Sequence, residues 1–264
     1  MVIGTSRSTY AAVEVWAPFN NTVEVFDLAG NNIGSFSAPT VGTATVVGSE
    51  VWGAGGSTTV QRFDMNRNSL GSFNAPAGVA EMDVVGSQVW AVAAGGNSIE
   101  TFDFSHNYLT TFSAEGVGSV EVVGSEVWGA GGGVAIERYD FNHNFLGSFN
   151  APTGVENLEV VGNQVWATTG TDTIQIFDFN HNYLGSFNAP LGIGDLEVVG
   201  NEVWATGGTT TVDRFDFNQN FLGSFNGPSG VSDVVVVPEP SSTAFIYIGV
   251  AFAFAGIRRR PRVR

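Results

Sequence analysis

The chain has 264 residues with 35 Gly, 21 Phe and 6 Trp, and its 43% hydrophobic content is ample for one large core. No Lys and no Cys occur, which excludes disulfides, thiolate metal sites and thiol catalysis, and a body poor in Leu, Lys and Glu argues against helices. Net charge is −15, and without residues 238–264 five Arg face 24 acids, a balance of −19 that excludes a nucleic-acid partner because phosphate binding needs a basic surface.

Residues 1–12 read as a lead-in, and a repeat begins at Val13. The tryptophans Trp16, Trp52, Trp90, Trp128, Trp166 and Trp204 are separated by 36, 38, 38, 38 and 38 residues. Aromatic-Asp dipeptides recur in step, ending on Asp27, Asp64, Asp103, Asp140, Asp178 and Asp216. One copy, followed from Gly194, divides into GDLEVVG, NEVWATGG, TTTVDRFDFN and QNFLGSFNGP. Each piece is a strand-length apolar run bounded by Gly, Asn or Pro, so every repeat predicts four strands, a to d. A four-stranded antiparallel meander repeated about every 40 residues is a propeller blade. Adjacent Val-Trp pairs put an apolar side chain on each sheet face, which assigns the tryptophans to the packing between blades.

The two ends of the repeat region complete each other. Residues 11–16, AAVEVW, match strand b of a blade that lacks strand a, and residues 230–237, GVSDVVVV, match a strand a with nothing after it. Pairing Asp233–Val237 with Val13–Trp16 closes a six-bladed β-propeller over residues 13–237 and removes its free edges. The order PxGVxxLEVV, VWAT, TIQIFDFNHNYLGSF resembles the NHL-type blade, a resemblance that implies fold and little about activity.

Three groups in this body could carry chemistry. His106, His143 and His181 occupy one turn position in successive blades, which spreads them around a ring as solvated turn residues. The turns read Asp-Phe-Asn-His-Asn, near the ligand spacing of calcium loops but lacking its Gly and terminal acid, and Asx hydrogen bonding accounts for them without an ion. Strand a lies nearest the axis, and the position before Val-Val reads Thr45, Asp83, Glu121, Glu159, Glu197 and Val235. Four carboxylates at one level, Asp83, Glu121, Glu159 and Glu197, form the candidate metal site, with Ca²⁺ the cation that suits oxygen ligands. Likeness to six-bladed lactonases, which use an axial metal, implies a hydrolase as the alternative function. No catalytic residue is assigned, because no Ser, His and acid fall in a nucleophilic arrangement. The b–c loops, such as GAGGSTT and TGGTTT, are small and nearly uncharged and define no pocket.

After the last strand come Pro238, Glu239 and Pro240, then seventeen uncharged residues from Ser241 to Ile257, then Arg258, Arg259 and Arg260 with two further Arg. As a helix the uncharged segment measures about 25 Å, a short membrane span, and the arginines would stay on the cytoplasmic side with the propeller outside. This ordered pattern resembles the PEP-CTERM sorting tail. The resemblance implies recognition by exosortase at the inner membrane, cleavage near Pro238–Pro240, and delivery to the bacterial cell surface or extracellular matrix. Export also needs a signal peptide, and MVIGTSRSTY holds neither an apolar stretch nor a cleavage site, so coding sequence upstream of Met1 is expected. The expectation from sequence is thus a non-enzymatic, exported propeller that binds exopolysaccharide or surface proteins.

Overall fold

The computed structural model describes residues 13–19, 21–190 and 192–238. Residues 1–12, Glu239, Pro240, the 241–257 segment and the arginine cluster fall outside the described residues, so the proposed membrane helix is not among the elements below. Twenty-four strands form six antiparallel sheets of four, and no helix occurs among the described residues. Blade 2 is representative, with strands a to d at Thr43–Val47, Glu50–Ala54, Thr59–Asp64 and Ser69–Asn74.

Blade 1 takes its strand a, Val235–Pro238, from the far end of the chain. It pairs with Val13–Phe19 in the register Val13↔Pro238, Glu14↔Val237, Val15↔Val236 and Trp16↔Val235. The closure expected from sequence is therefore present, shifted slightly. Asp233 precedes the strand and instead accepts the Ala44 N–H of blade 2 at 2.7 Å. Pro238 is tolerated because it is the terminal residue of an edge strand, where no donor is required.

Between every two blades stands the same aromatic ladder. Trp52 meets Phe73 of its own blade at 4.8 Å between ring centroids, and Phe73 meets Phe102 of the next blade at 5.3 Å. The series runs through Trp16, Phe36 and Phe63 to Trp204, Phe225 and Phe26, so the contact across the closure is the same as the others. All six tryptophans are buried to within 1%. Losing one ring of this kind to alanine costs about 3–5 kcal/mol, because the cavity cannot collapse between two rigid sheets.

Each c–d hairpin is built by its aspartate. Asp103 Oδ1 accepts the N–H groups of Ser105 and Asn107, both at 2.9 Å, and Oδ2 accepts the Asn107 amide at 2.8 Å. The fourth turn residue has left-handed backbone, with φ of 68° at His106, 69° at His143 and 70° at His181. That conformation aims the side chain back at the preceding blade. In blade 1 the position is Gly30, where a Cβ would lie 2.7 Å from Phe225.

Here the structure corrects the sequence reading of the histidines. They are half-buried between blades and not simply solvated. His106 lies 5.2 Å from Trp52 and hydrogen-bonds Glu50 at 3.0 Å, His143 lies 5.3 Å from Trp90 and bonds Gln88, and His181 lies 5.2 Å from Trp128 and bonds Glu126. Burial lowers the His143 pKa, against a smaller opposing effect of Asp140. The three rings do stay apart, each at a different blade junction.

Candidate functional site

The strongest concentration of ionisable groups is the axial channel, lined by strand a of every blade. Side chains alternate along a strand, so residues two apart face the axis together. One level holds Thr45, Asp83, Glu121, Glu159, Glu197 and Val235, each opposite a Trp of strand b except that Val235 pairs Trp16 across the closure. Two residues earlier lies a second level that the sequence reading missed, containing Glu81, Asn157, Asp195 and Asp233 beside Thr43. These groups share one cavity of about 250 Å³ whose lining includes seven carboxylates and no Arg or His.

The carboxylates are held by the backbone of the next blade. Strand a is the inner edge of its sheet, so half of its N–H groups lack a sheet partner and need an acceptor. The Val120 N–H donates to Glu81 at 3.0 Å, the Val198 N–H to Glu159 at 3.1 Å and the Val236 N–H to Glu197 at 3.1 Å. Asp83 and Glu121 accept likewise from Val122 and Val160. Asp233 makes the same link from blade 1 to Ala44 of blade 2. The acids thus tie neighbouring blades together around the axis.

Their protonation follows from enclosure without a cation. Burial raises all seven, Asp83 to about 7, Glu197 to about 8 and Asp233 to about 6, with the backbone N–H bonds opposing. Glu81, Glu121, Glu159 and Asp195 are also raised well above the ordinary carboxylate range by burial, reinforced by neighbouring acids. Asp195 Oδ2 is buried without a hydrogen-bond partner, and the neighbouring Asp233 adds to the rise at Asp195.

Asp83, Glu121, Glu159 and Glu197 are brought to one level, as the sequence reading has it. Yet among the described residues no three His, Asp or Glu side chains are grouped so that they could hold a metal ion. One oxygen each of Glu81, Glu159 and Glu197 is instead turned to a backbone N–H of the next blade. The turn aspartates are likewise occupied by their own Asx bonds.

Outside the channel, a separate acid position opens strand b. Glu50 is bonded by Arg62 at 2.6 Å and Glu126 by Arg138, and each pKa falls to about 2, chiefly through the Arg hydrogen bond. Glu14 lacks an Arg in its own blade and takes Arg67 from the next one. Where neither source of Arg exists the residue is neutral, as Gln88 and Gln164. On the opposite rim one glycine of a b–c loop abuts the preceding turn: a Cβ on Gly131 would stand 1.9 Å from the Gly116 carbonyl, and one on Gly207 1.7 Å from that of Gly192. These two glycines serve close backbone approach.

No protein-family model and no curated protein matches the sequence. Solved structures resemble the fold. A crystal structure of a protein of unknown function from Bacteroides caccae superposes with a TM-score of 0.69 at 8% identity, covering 86% of this chain and 99% of that one. A nidogen/laminin complex contains a chain matching at 0.69 and 9% identity, covering 85% and 98%. The computationally designed protein Ika8 matches at 0.53 and 14%, covering 83% and 73%. At such identities the likeness is one of fold alone.

Proposed function

We propose that the chain is an exported, non-enzymatic binding propeller, sorted through a PEP-CTERM tail that exosortase processes at the inner membrane. The observation that carries this reading is the ordered pattern that follows the closing strand in the sequence: Pro238-Glu239-Pro240, seventeen uncharged residues, then the arginine cluster. The last described strand, Val235–Pro238, contains the first residue of the Pro238-Glu239-Pro240 tripeptide. Cleavage after that point leaves all twenty-four strands intact, so a folded body is separable from its address. Ahead of the arginine cluster lie seventeen uncharged residues, the composition of a short membrane span.

The binding role is supported by the body's construction. Six near-copies of one blade repeat a surface around a ring, which favours contact with a repeating polymer such as exopolysaccharide or with other surface proteins over one asymmetric active site. A propeller of similar shape in a nidogen/laminin complex is consistent with protein binding. The channel acids, engaged by backbone N–H groups, act here as structural acceptors.

The alternative is an extracytoplasmic metal-dependent hydrolase or lactonase with an axial cation on Asp83, Glu121, Glu159 and Glu197. It is favoured by the common cavity and opposed by the engagement of the carboxylates with backbone N–H groups. Calcium that stays stoichiometric through dialysis would select it. The sorting reading is tested by replacing the tripeptide, Pro238→Ala with Glu239→Ala and Pro240→Ala, in the native host. The expected result is a variant that accumulates unprocessed in the membrane while the parent chain is processed. Equal processing of both would refute it.

A further inference from the structure

The exposed apolar side chains of this propeller are gathered at one end. Of the sixteen large hydrophobic residues that are exposed among the described residues, fifteen lie in the c–d turns or in the first two residues of strand d. The sixteenth, Val134, belongs to a b–c loop at the other end. Blades 3 to 6 each contribute two aromatics and a Leu, for example Phe179, Tyr183 and Leu184 in blade 5, at 38%, 45% and 52% exposure. Blade 1 supplies Leu28 and Ile33, and blade 2 supplies Leu70, so every blade takes part. Soluble monomers seldom gather their exposed apolar side chains at one end in this way, and such gatherings mark contact surfaces.

Chain direction identifies what the band faces. In a meander, strand a and strand c run the same way, so the a–b and c–d turns share one rim while the b–c loops share the other. Strand a of blade 1 therefore ends on the apolar rim, and Pro238 leaves the described structure there, beside Val13 at the start of strand b. Only Glu239 and Pro240 separate it from the uncharged stretch beginning at Ser241. Three extended residues reach about 10 Å. If that stretch enters a membrane, the rim is held within that distance of it, with the exit near the propeller axis and the apolar band around it.

We infer that the c–d rim is a membrane-seating surface whose partner is the interfacial region of a phospholipid bilayer. Resting on the reading of residues 241–257 as a membrane span, it adds an orientation: the propeller sits flat on the bilayer, the Pro238–Pro240 tripeptide at the lipid surface and the Gly/Thr loops facing away. Phe, Tyr and Leu suit the boundary between headgroups and acyl chains. Charge opposes it, because the body carries −19 and the six turn aspartates lie on this rim. Seating is accordingly apolar, and weaker on anionic than on neutral lipid.

The absence of native cysteine allows single-site labels in the full chain. Phe179→Cys probes the rim, Thr58→Cys the opposite loops and Ala251→Cys the tail. Each labelled chain is placed in phosphatidylcholine nanodiscs with spin-labelled lipid that quenches a nearby fluorophore. The expected result is strong quenching at 251, clear quenching at 179, none at 58, and loss of quenching at 183 (Tyr183→Cys) when Phe104, Phe141 and Phe217 are all changed to Ser. Quenching at 251 with 179 no different from 58 would overturn the seating while leaving the tail reading intact. No quenching at 251 would overturn the tail reading and the seating with it. Shielding of 179 that follows protein concentration in lipid-free detergent would assign the rim to a second copy and also overturn the proposal.

Discussion

Replacing Glu197 by Gln should stabilise the protein at pH 8 and leave it unchanged at pH 5. The carboxyl is raised by burial from an ordinary 4.5 to about 8, so in the folded protein it stays protonated while in the unfolded chain it ionises. Such a group supports the fold fully below its unfolded pKa, and that support is lost as pH rises through the folded one. A shift of 3.5 units, from 4.5 to about 8, caps the loss at roughly 5 kcal/mol by pH 8. With an effective dielectric well above that of dry protein, about 1–2 kcal/mol is the expected gain from the substitution there. Glutamine retains an oxygen for the Val236 N–H, so the blade contact survives. Urea denaturation of parent and variant across pH 4.5 to 8 reads this directly. The parent should lose stability steadily with rising pH, because Asp83 and Asp233, raised to about 7 and about 6, act in the same direction. Glu50 and Glu126, depressed to about 2, act oppositely, but their support is lost only on acidification below pH 4.5. A variant less stable than the parent at pH 8, or a parent whose stability rises from pH 5 to 8, would refute the account of the channel.

Other perturbations test the packing. Trp52→Phe should cost about 1 kcal/mol more than Trp90→Phe in thermal unfolding, because the Trp52 indole donates to Glu50 at 3.1 Å whereas that of Trp90 is buried without a partner. Gly131→Ala drives a Cβ into the Gly116 carbonyl and should destabilise by about 2–3 kcal/mol, against about 1 for Gly132→Ala, which meets nothing but has φ +87. Deleting residues 239–264 should leave the melting temperature of the body unchanged. Deleting from Val235 onward removes the closing strand and should abolish cooperative melting, since the Val13–Trp16 edge then stands open.

The fold was legible because its markers are local and copied. Trp and aromatic-Asp at fixed spacing place strands b and c, and the unmatched ends at Val13 and Val237 announce the closure. What escaped was polar contact between blades, which one repeat read alone does not contain. His106 looks like a turn residue until its left-handed backbone turns it onto Trp52 and Glu50. Internal variation held the clue: Gln88 and Gln164 replace Glu where no Arg stands opposite or in the next turn. In the channel, the level of Asp83 and Glu197 was found by aligning copies. Asp195 and Asp233 were missed although the period of two along a strand places them on the same face. Their partners are N–H groups of another sheet, which no side-chain pattern reveals.

The central claim is that a folded propeller is separated from its address and delivered outside the cell. The most direct measurement is the intact mass of the endogenous protein in each cell fraction. The account predicts a mature chain outside the cytoplasm that lacks the segment following Pro238–Pro240. A chain retaining residues 241–264 and confined to the cytoplasm would contradict it.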